Sequence, residues 1–73
     1  MTVAEMIANY IVFEGEIEIR EWTDYDSGEW SALFQDDAWE LDVNAWYANV
    51  DVAYMFAYEG ANGITLCFEL VQQ

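Results

Sequence analysis

The chain has no histidine, no lysine and no proline, and it has one arginine, Arg20, and one cysteine, Cys67. Each absence excludes something. Without histidine, neither a Ser-His-Asp nor a Cys-His nucleophile can be assembled. Zinc sites of the usual kind need cysteine or histidine clusters, so none is expected. A single cysteine cannot form an internal disulfide, which fits a reducing compartment. One base is too few for phosphate neutralisation, so direct nucleic-acid binding is excluded. An anionic membrane would repel the chain, and no apolar run approaches the roughly 18 residues of a transmembrane helix. The N-terminus lacks a basic n-region and does not read as a secretory signal, so a cytoplasmic protein is expected. The absence of proline leaves no strand barred from pairing.

What remains is 73 residues with 15 acids, a formal charge of −14, and a composition that is 56% apolar and 18% aromatic. Disordered acidic tails lack large apolar residues, so a folded domain is expected. The length supports one acidic domain over residues 1–73, with no room for a second core. A small domain ordinarily carries a net charge of about 2 to 8, so the acidity itself needs a cause.

The hydrophobic pattern predicts an α+β domain. Thr2-Val3-Ala4-Glu5 has the spacing of a capping box, and Val3, Met6, Ile7 and Tyr10 then share one helical face. This predicts a short N-terminal helix over 3–10, too short to be stable alone. Glu16-Ile17-Glu18-Ile19-Arg20 alternates as a half-buried strand, with the isoleucines inward and the charged residues outward. After the turn residues Asp24 to Gly28, Trp30–Gln35 returns, so residues 16–35 read as a hairpin. Asp36-Asp37 is placed to cap a helical turn through Trp39 and Leu41, and segment 36–49 reads as one irregular helix or two short turns. Residues 50–58 and 64–70 alternate around a Glu59–Gly63 turn and read as a second hairpin. The expected architecture is an antiparallel sheet of about four strands, in two hairpins, with the short helix and the helical insert.

The acids are unevenly placed. Ten lie between Glu14 and Glu40: Glu14, Glu16, Glu18, Glu21, Asp24, Asp26, Glu29, Asp36, Asp37 and Glu40. Residues 43–73 contain only Asp51, Glu59 and Glu69. In a strand, Glu14, Glu16 and Glu18 would share a face at intervals of about 6.6 Å, which is close to the phosphate spacing of a nucleic-acid strand. Such crowding costs stability through repulsion and should raise the carboxylate pKa values. A solvated face is the plain explanation for three acids, but −14 against a single base favours a functional field. Trp22, Tyr25 and Trp30 flank the hairpin turn and are candidate partner contacts, with Trp22 expected to be exposed. Trp39, Trp46 and Tyr47 follow, and packing accounts for most aromatics in so small a domain. Met55 and Cys67 read as packing residues.

Two chemical motifs are weak. Asp24-Tyr25-Asp26-Ser27-Gly28-Glu29 partly matches a calcium loop, but its spacing is wrong and Gln35 stands where the bidentate glutamate belongs. A hairpin turn with solvated acids explains it, so no metal site is expected. Asp36 and Asp37 could serve acid–base chemistry, but adjacent acids are expected by chance here and the chain is too small for a roomy pocket. No enzyme activity and no cofactor are expected.

In size, acidity and lack of catalytic residues, the chain resembles small anti-defence proteins of phages and mobile elements, of the anti-CRISPR and DNA-mimic antirestriction kinds. The resemblance covers the whole chain in character and rests on no shared motif. It implies a stoichiometric inhibitor, phage-encoded and acting in the host cytoplasm. Such an inhibitor would occupy the DNA-binding cleft of a CRISPR effector complex or another basic defence nuclease. The Glu14–Glu29 acids would substitute for phosphates. The competing reading is a non-mimic interaction module, antitoxin- or adaptor-like, that docks through its apolar C-terminal hairpin. An edge strand pairing with itself, hence a homodimer, fits that composition as well. Adaptation to high salt is a third explanation, and the clustering of the acids in one half speaks against it.

Overall fold

A computed structural model describes residues 1–9 and 14–72. The elements are α1 (Val3–Asn9), β1 (Glu16–Asp24), β2 (Glu29–Asp37), two 3-10 turns (Ala38–Glu40 and Trp46–Asn49), β3 (Val52–Gly60) and β4 (Gly63–Leu70). The domain is α+β: a four-stranded sheet with a short N-terminal helix. The predicted capping box forms, with Glu5 N–H donating to Thr2 Oγ1 and Thr2 N–H to Glu5 Oε1, both at 3.1 Å. Tyr10, the last residue of the expected apolar helical face, lies outside the described residues.

The strand order is β2-β1-β4-β3. β1 pairs antiparallel with β2, and β3 pairs antiparallel with β4. The central pair, β1 with β4, is parallel, so the sheet is mixed and the purely antiparallel expectation is corrected. The reason lies in segment 38–51. A short return would start β3 at the same end of the sheet where β2 finishes. Instead the two 3-10 turns carry the chain back along the length of the strands, and β3 starts at the opposite end. Parallel neighbours require such a crossover. A further correction concerns Asp36 and Asp37. They belong to β2, opposite Ile17 and Glu16, and Asp37 makes no side-chain cap to the turn after it.

The two turns within the antiparallel pairs rest on glycine. Gly28 has φ 73° and Gly63 φ 104°, a region that is costly for residues bearing a Cβ. Ala61 and Asn62 both keep negative φ, which excludes a type I′ turn.

Alternation along β1 and β4 sorts side chains onto two faces. Ile17, Ile19, Phe68 and Leu70 point to one face, where Val3 of α1, Leu41 and Ala48 close the core. Met6, Ile7, Phe34, Tyr47, Val50 and Leu66 pack around it. The domain is only 17 Å through its thinnest axis, which accommodates a sheet and one covering layer. Among the described residues, no helix lies over the second face of the sheet.

Phe68 is fully buried while Trp39 is 81% exposed. Phe68→Ala should therefore cost about 3–5 kcal/mol, and Trp39→Ala less than about 0.5 kcal/mol. Urea unfolding midpoints at constant m-value measure both.

Candidate functional site: the open sheet face and its acidic ends

The uncovered face carries Glu16, Glu18, Arg20 and Trp22 from β1, and Thr65, Cys67 and Glu69 from β4. The strand register sets Thr65, Cys67 and Glu69 beside Glu16, Glu18 and Arg20. β3 adds Tyr58, Phe56 and Tyr54 opposite Thr65, Cys67 and Glu69. β2 adds Trp30 opposite Trp22. The sequence pattern suggests a solvated charged face, and the structure corrects this. Glu18 is 1% exposed and Thr65 and Cys67 are fully buried, on a face that also carries the Arg20 side chain and the rings of Trp30, Phe56 and Tyr58.

Arg20 is the centre of this layer. Its Nη2 lies 2.9 Å from Glu18 Oε2, and its Nε donates to the same oxygen at 3.0 Å. Glu69 Oε1 stands 4.0 Å from Nη1. The guanidinium carbon sits 3.8 Å from the centroid of the Trp30 ring and 5.4 Å from that of Phe56, so the cation is within cation–π range of two aromatic rings. Tyr58 Oη donates to the other Glu18 oxygen, Oε1. That hydrogen bond, burial and the Glu18 charge raise the Tyr58 pKa. Burial pushes the Cys67 thiol up to about 12, which leaves it protonated and unreactive at neutral pH.

The expected row of carboxylates is broken. Glu18 cannot face a partner, since both of its oxygens are used inside. Glu14 precedes the strand and is exposed. Glu16 is half-buried and accepts from Gln35 Nε2 at 3.0 Å and Asn62 Nδ2 at 3.1 Å, with Thr65 Oγ1 at 3.5 Å. The Gln35 and Asn62 hydrogen bonds hold its pKa below the ordinary carboxylate value, contrary to the rise expected from crowding. The remaining acids fall at the two ends of the β1–β2 pair. Glu14, Glu16, Asp36 and Asp37 gather where β1 starts and β2 finishes, with Glu40 just beyond. Asp24, Asp26 and Glu29 gather at the turn, where Asp26 N–H donates to Asp24 Oδ1 at 3.0 Å. About 26 Å of strand separates the two groups. Glu21 is half-buried between them.

The candidate aromatics also divide. Trp22 is half-buried and stacks on Tyr25 at 5.4 Å, so the expectation of an exposed Trp22 is corrected. Tyr25 is 52% exposed and Trp30 43%. Two more exposed tryptophans, Trp39 and Trp46, lie on the crossover segment, where buried Leu41 and Ala48 pin the backbone. Their exposure had no periodic signal in the sequence, because 3-10 turns present side chains with no long repeat. Met55, which reads as a packing residue in the sequence, is 45% exposed, a correction.

The electrostatic outcome is one-sided. The only side-chain cation is enclosed by Glu18 and Glu69, and the N-terminal ammonium pairs with Asp51 at 3.0 Å. Glu5, Glu14, Asp24, Asp26, Glu29, Asp36, Asp37, Glu40, Asp42 and Glu59 are exposed with no positive side chain against them. Among the described residues, no three acids or thiols converge as a metal site, and no helix is long and apolar enough to cross a membrane. No family model, no curated protein and no solved structure matches this chain.

Removing the cation alone should be costly. Arg20→Met leaves Glu18 buried without its counter-charge, so a loss of about 3–5 kcal/mol is expected, and Glu18→Gln in the same chain should restore a large part of it. Chemical denaturation of the four members of this mutant cycle measures the coupling.

The alkaline limit of stability has a definite sign. Cys67 and Tyr58 bind their protons more tightly folded than unfolded. Their contribution is complete below the unfolded values of 9.0 and 10.0 and is lost as pH rises through the folded ones. Stability should therefore decline above about pH 9, and Cys67→Ala should flatten the first part of that decline. Glu16 acts oppositely: its contribution is present above the ordinary value of 4.5 and is lost as pH falls through its lowered folded pKa. Urea titrations at a series of pH values follow both limbs.

Proposed function

We propose that this protein is a stoichiometric inhibitor that mimics nucleic acid, binding a basic protein cleft that otherwise holds DNA or RNA. Its most specific form is an anti-CRISPR protein occupying the DNA-binding cleft of an effector complex in the host cytoplasm. It acts by binding and not by turnover. The observation that carries this reading is the enclosure of Arg20. With its one cationic side chain spent internally, the surface offers only carboxylates to long-range attraction. Such a field speeds association with a basic groove and disfavours acidic or neutral partners. The phosphate substitutes are Glu14, Glu16, Asp36, Asp37 and Glu40 at one end, and Asp24, Asp26 and Glu29 at the other, with Glu21 between. Glu18 is withdrawn from the set because it is buried. Exposed Tyr25, Trp30 and Trp39 lie near these acids in the chain and supply the apolar grip that charge alone lacks.

A second reading is favoured by a different observation. Tyr54, Met55 and Ile64 are 59%, 45% and 56% exposed on the β3–β4 pair. A non-mimic interaction module, antitoxin- or adaptor-like, would dock there, and the acids would serve solubility only.

Binding to candidate effector complexes across a salt series separates the two. Mimicry predicts a steep loss of affinity with salt, and competition by DNA; apolar docking predicts neither. Three triple variants hold the charge change equal: Asp24, Asp26 and Glu29 to amides; Asp36, Asp37 and Glu40 to amides; and Glu5, Asp51 and Glu59 to amides. The first two should each weaken binding by about 1–3 kcal/mol and slow association, and the third should do much less. Trp39→Ala should cost about 2 kcal/mol of affinity while leaving the fold intact. Equal losses from all three triples, or binding unmoved by excess DNA, would reject mimicry.

A further inference from the structure

The two edges of the sheet are built differently. β2 carries exposed Glu29, Asp36 and Asp37, and charged side chains on an edge strand discourage the addition of another strand. β3 has no charged residue from Val52 through Tyr58 and no proline anywhere along it. Its first residue is covered by the N-terminus, since Val52 N–H donates to Met1 O at 2.9 Å and Thr2 bridges to Asp51. Beyond that, no strand among the described residues pairs with its outer edge. Ala53, Tyr54, Met55 and Ala57 are all exposed there. A long, uncharged, uncovered edge invites strand pairing.

We propose that β3 pairs antiparallel with β3 of a second copy of this chain about a two-fold axis, forming a continuous eight-stranded sheet. Charge decides the occupant. A basic strand from another protein would be recognised by a row of free acids beside β3, and only Glu59 and Asp51, the latter already paired with the N-terminal ammonium, are exposed there, whereas Glu29, Asp36 and Asp37 line the opposite edge. Self-pairing centred on Met55 sets only uncharged side chains opposite one another between Val52 and Tyr58, and the flanking Glu59 falls opposite Asp51 of the second copy, whose charge the N-terminal ammonium offsets. The resulting order is β2-β1-β4-β3-β3-β4-β1-β2, which places the two acidic edges as far apart as the sheet allows. Seven strand spacings separate them, about 34 Å, or roughly four Debye lengths at physiological salt. A two-fold axis perpendicular to the sheet also keeps both copies of α1 on the same face. The Tyr54–Phe56–Tyr58 ladder, with neighbouring centroids 5.6 and 6.1 Å apart, then continues across the junction on the other face. The interface is isologous and closed, so it stops at two copies. It depends on neither reading of the protein's function.

Analytical ultracentrifugation of the whole chain, from micromolar to near-millimolar concentration in low and half-molar salt, tests the proposal. A monomer–dimer equilibrium that tightens with salt is expected, since screening lowers the repulsion between two acidic chains. Met55→Glu and Tyr54→Glu should each weaken the dimer by about tenfold or more, because each places two like charges beside the axis. Trp39→Glu adds the same charge at an exposed position on the crossover segment and should change dimerisation by less than about twofold. Amide hydrogen exchange should show residues 53–59 gaining protection as concentration rises. A monomer under every condition would overturn the proposal. So would a dimer whose β3 amides stay unprotected, or one weakened equally by Met55→Glu and Trp39→Glu.

Discussion

The structure of the uncovered face depends on one ion pair. Glu18 is a carboxylate in the middle of the sheet, with no helix among the described residues over it and nearly no exposure. A charge in that position is tolerable only if it is paired and its remaining lone pairs are satisfied. Arg20 provides the charge and Tyr58 the second hydrogen bond. The guanidinium needs shelter in turn, and Trp30 and Phe56 stand within cation–π range of it from β2 and β3. Side chains from all four strands thus converge on this group, with Glu69 contributed by β4. Cys67 and Thr65, beside this cluster on β4, are fully buried as well, so the sheet buries residues on both faces.

This arrangement has an electrostatic consequence. A chain with 15 acids and one base could have used its arginine to relieve repulsion on the surface. Instead the arginine is committed to the interior, and the exposed acids of the β1–β2 pair face no positive side chain. Repulsion is moderated by other means. Glu16 is held by the amides of Gln35 and Asn62, and the two acidic groups stand at opposite ends of long strands. The opposite edge of the sheet, along β3, is uncharged over most of its length. One molecule therefore joins a charged margin to an uncharged one.

Much of the fold was legible in the sequence because its signals are local. The capping box at Thr2 and Glu5, the alternation Glu16 to Arg20 and the glycine turns each depend on residues a few positions apart. Burial of Ile17 and Ile19 followed from the same alternation. The parallel pairing of β1 and β4 was not legible. A strand's alternation is the same whichever way its neighbour runs, and direction was decided by how far the crossover carried the chain. The end of β2 is not legible either, because Asp36 and Asp37 have the local pattern of a helix cap and only their strand partners, Ile17 and Glu16, make them strand residues.

The candidate site divides along the same line. Sequence by itself determined the sign of the field, its concentration in residues 14–40, and the absence of histidine and lysine chemistry, because these are properties of composition and order. Tertiary structure alone decided that Glu18 is an interior group, that Arg20 is unavailable to the surface, and that Trp39 stands in solvent while Trp22 stacks on Tyr25. Whether a charged residue on a strand meets water or a counter-charge depends on what neighbouring strands place above it. Trp30, Phe56, Tyr58 and Glu69 reach that position from up to forty-nine residues away in the chain, a distance at which spacing along the sequence carries no information.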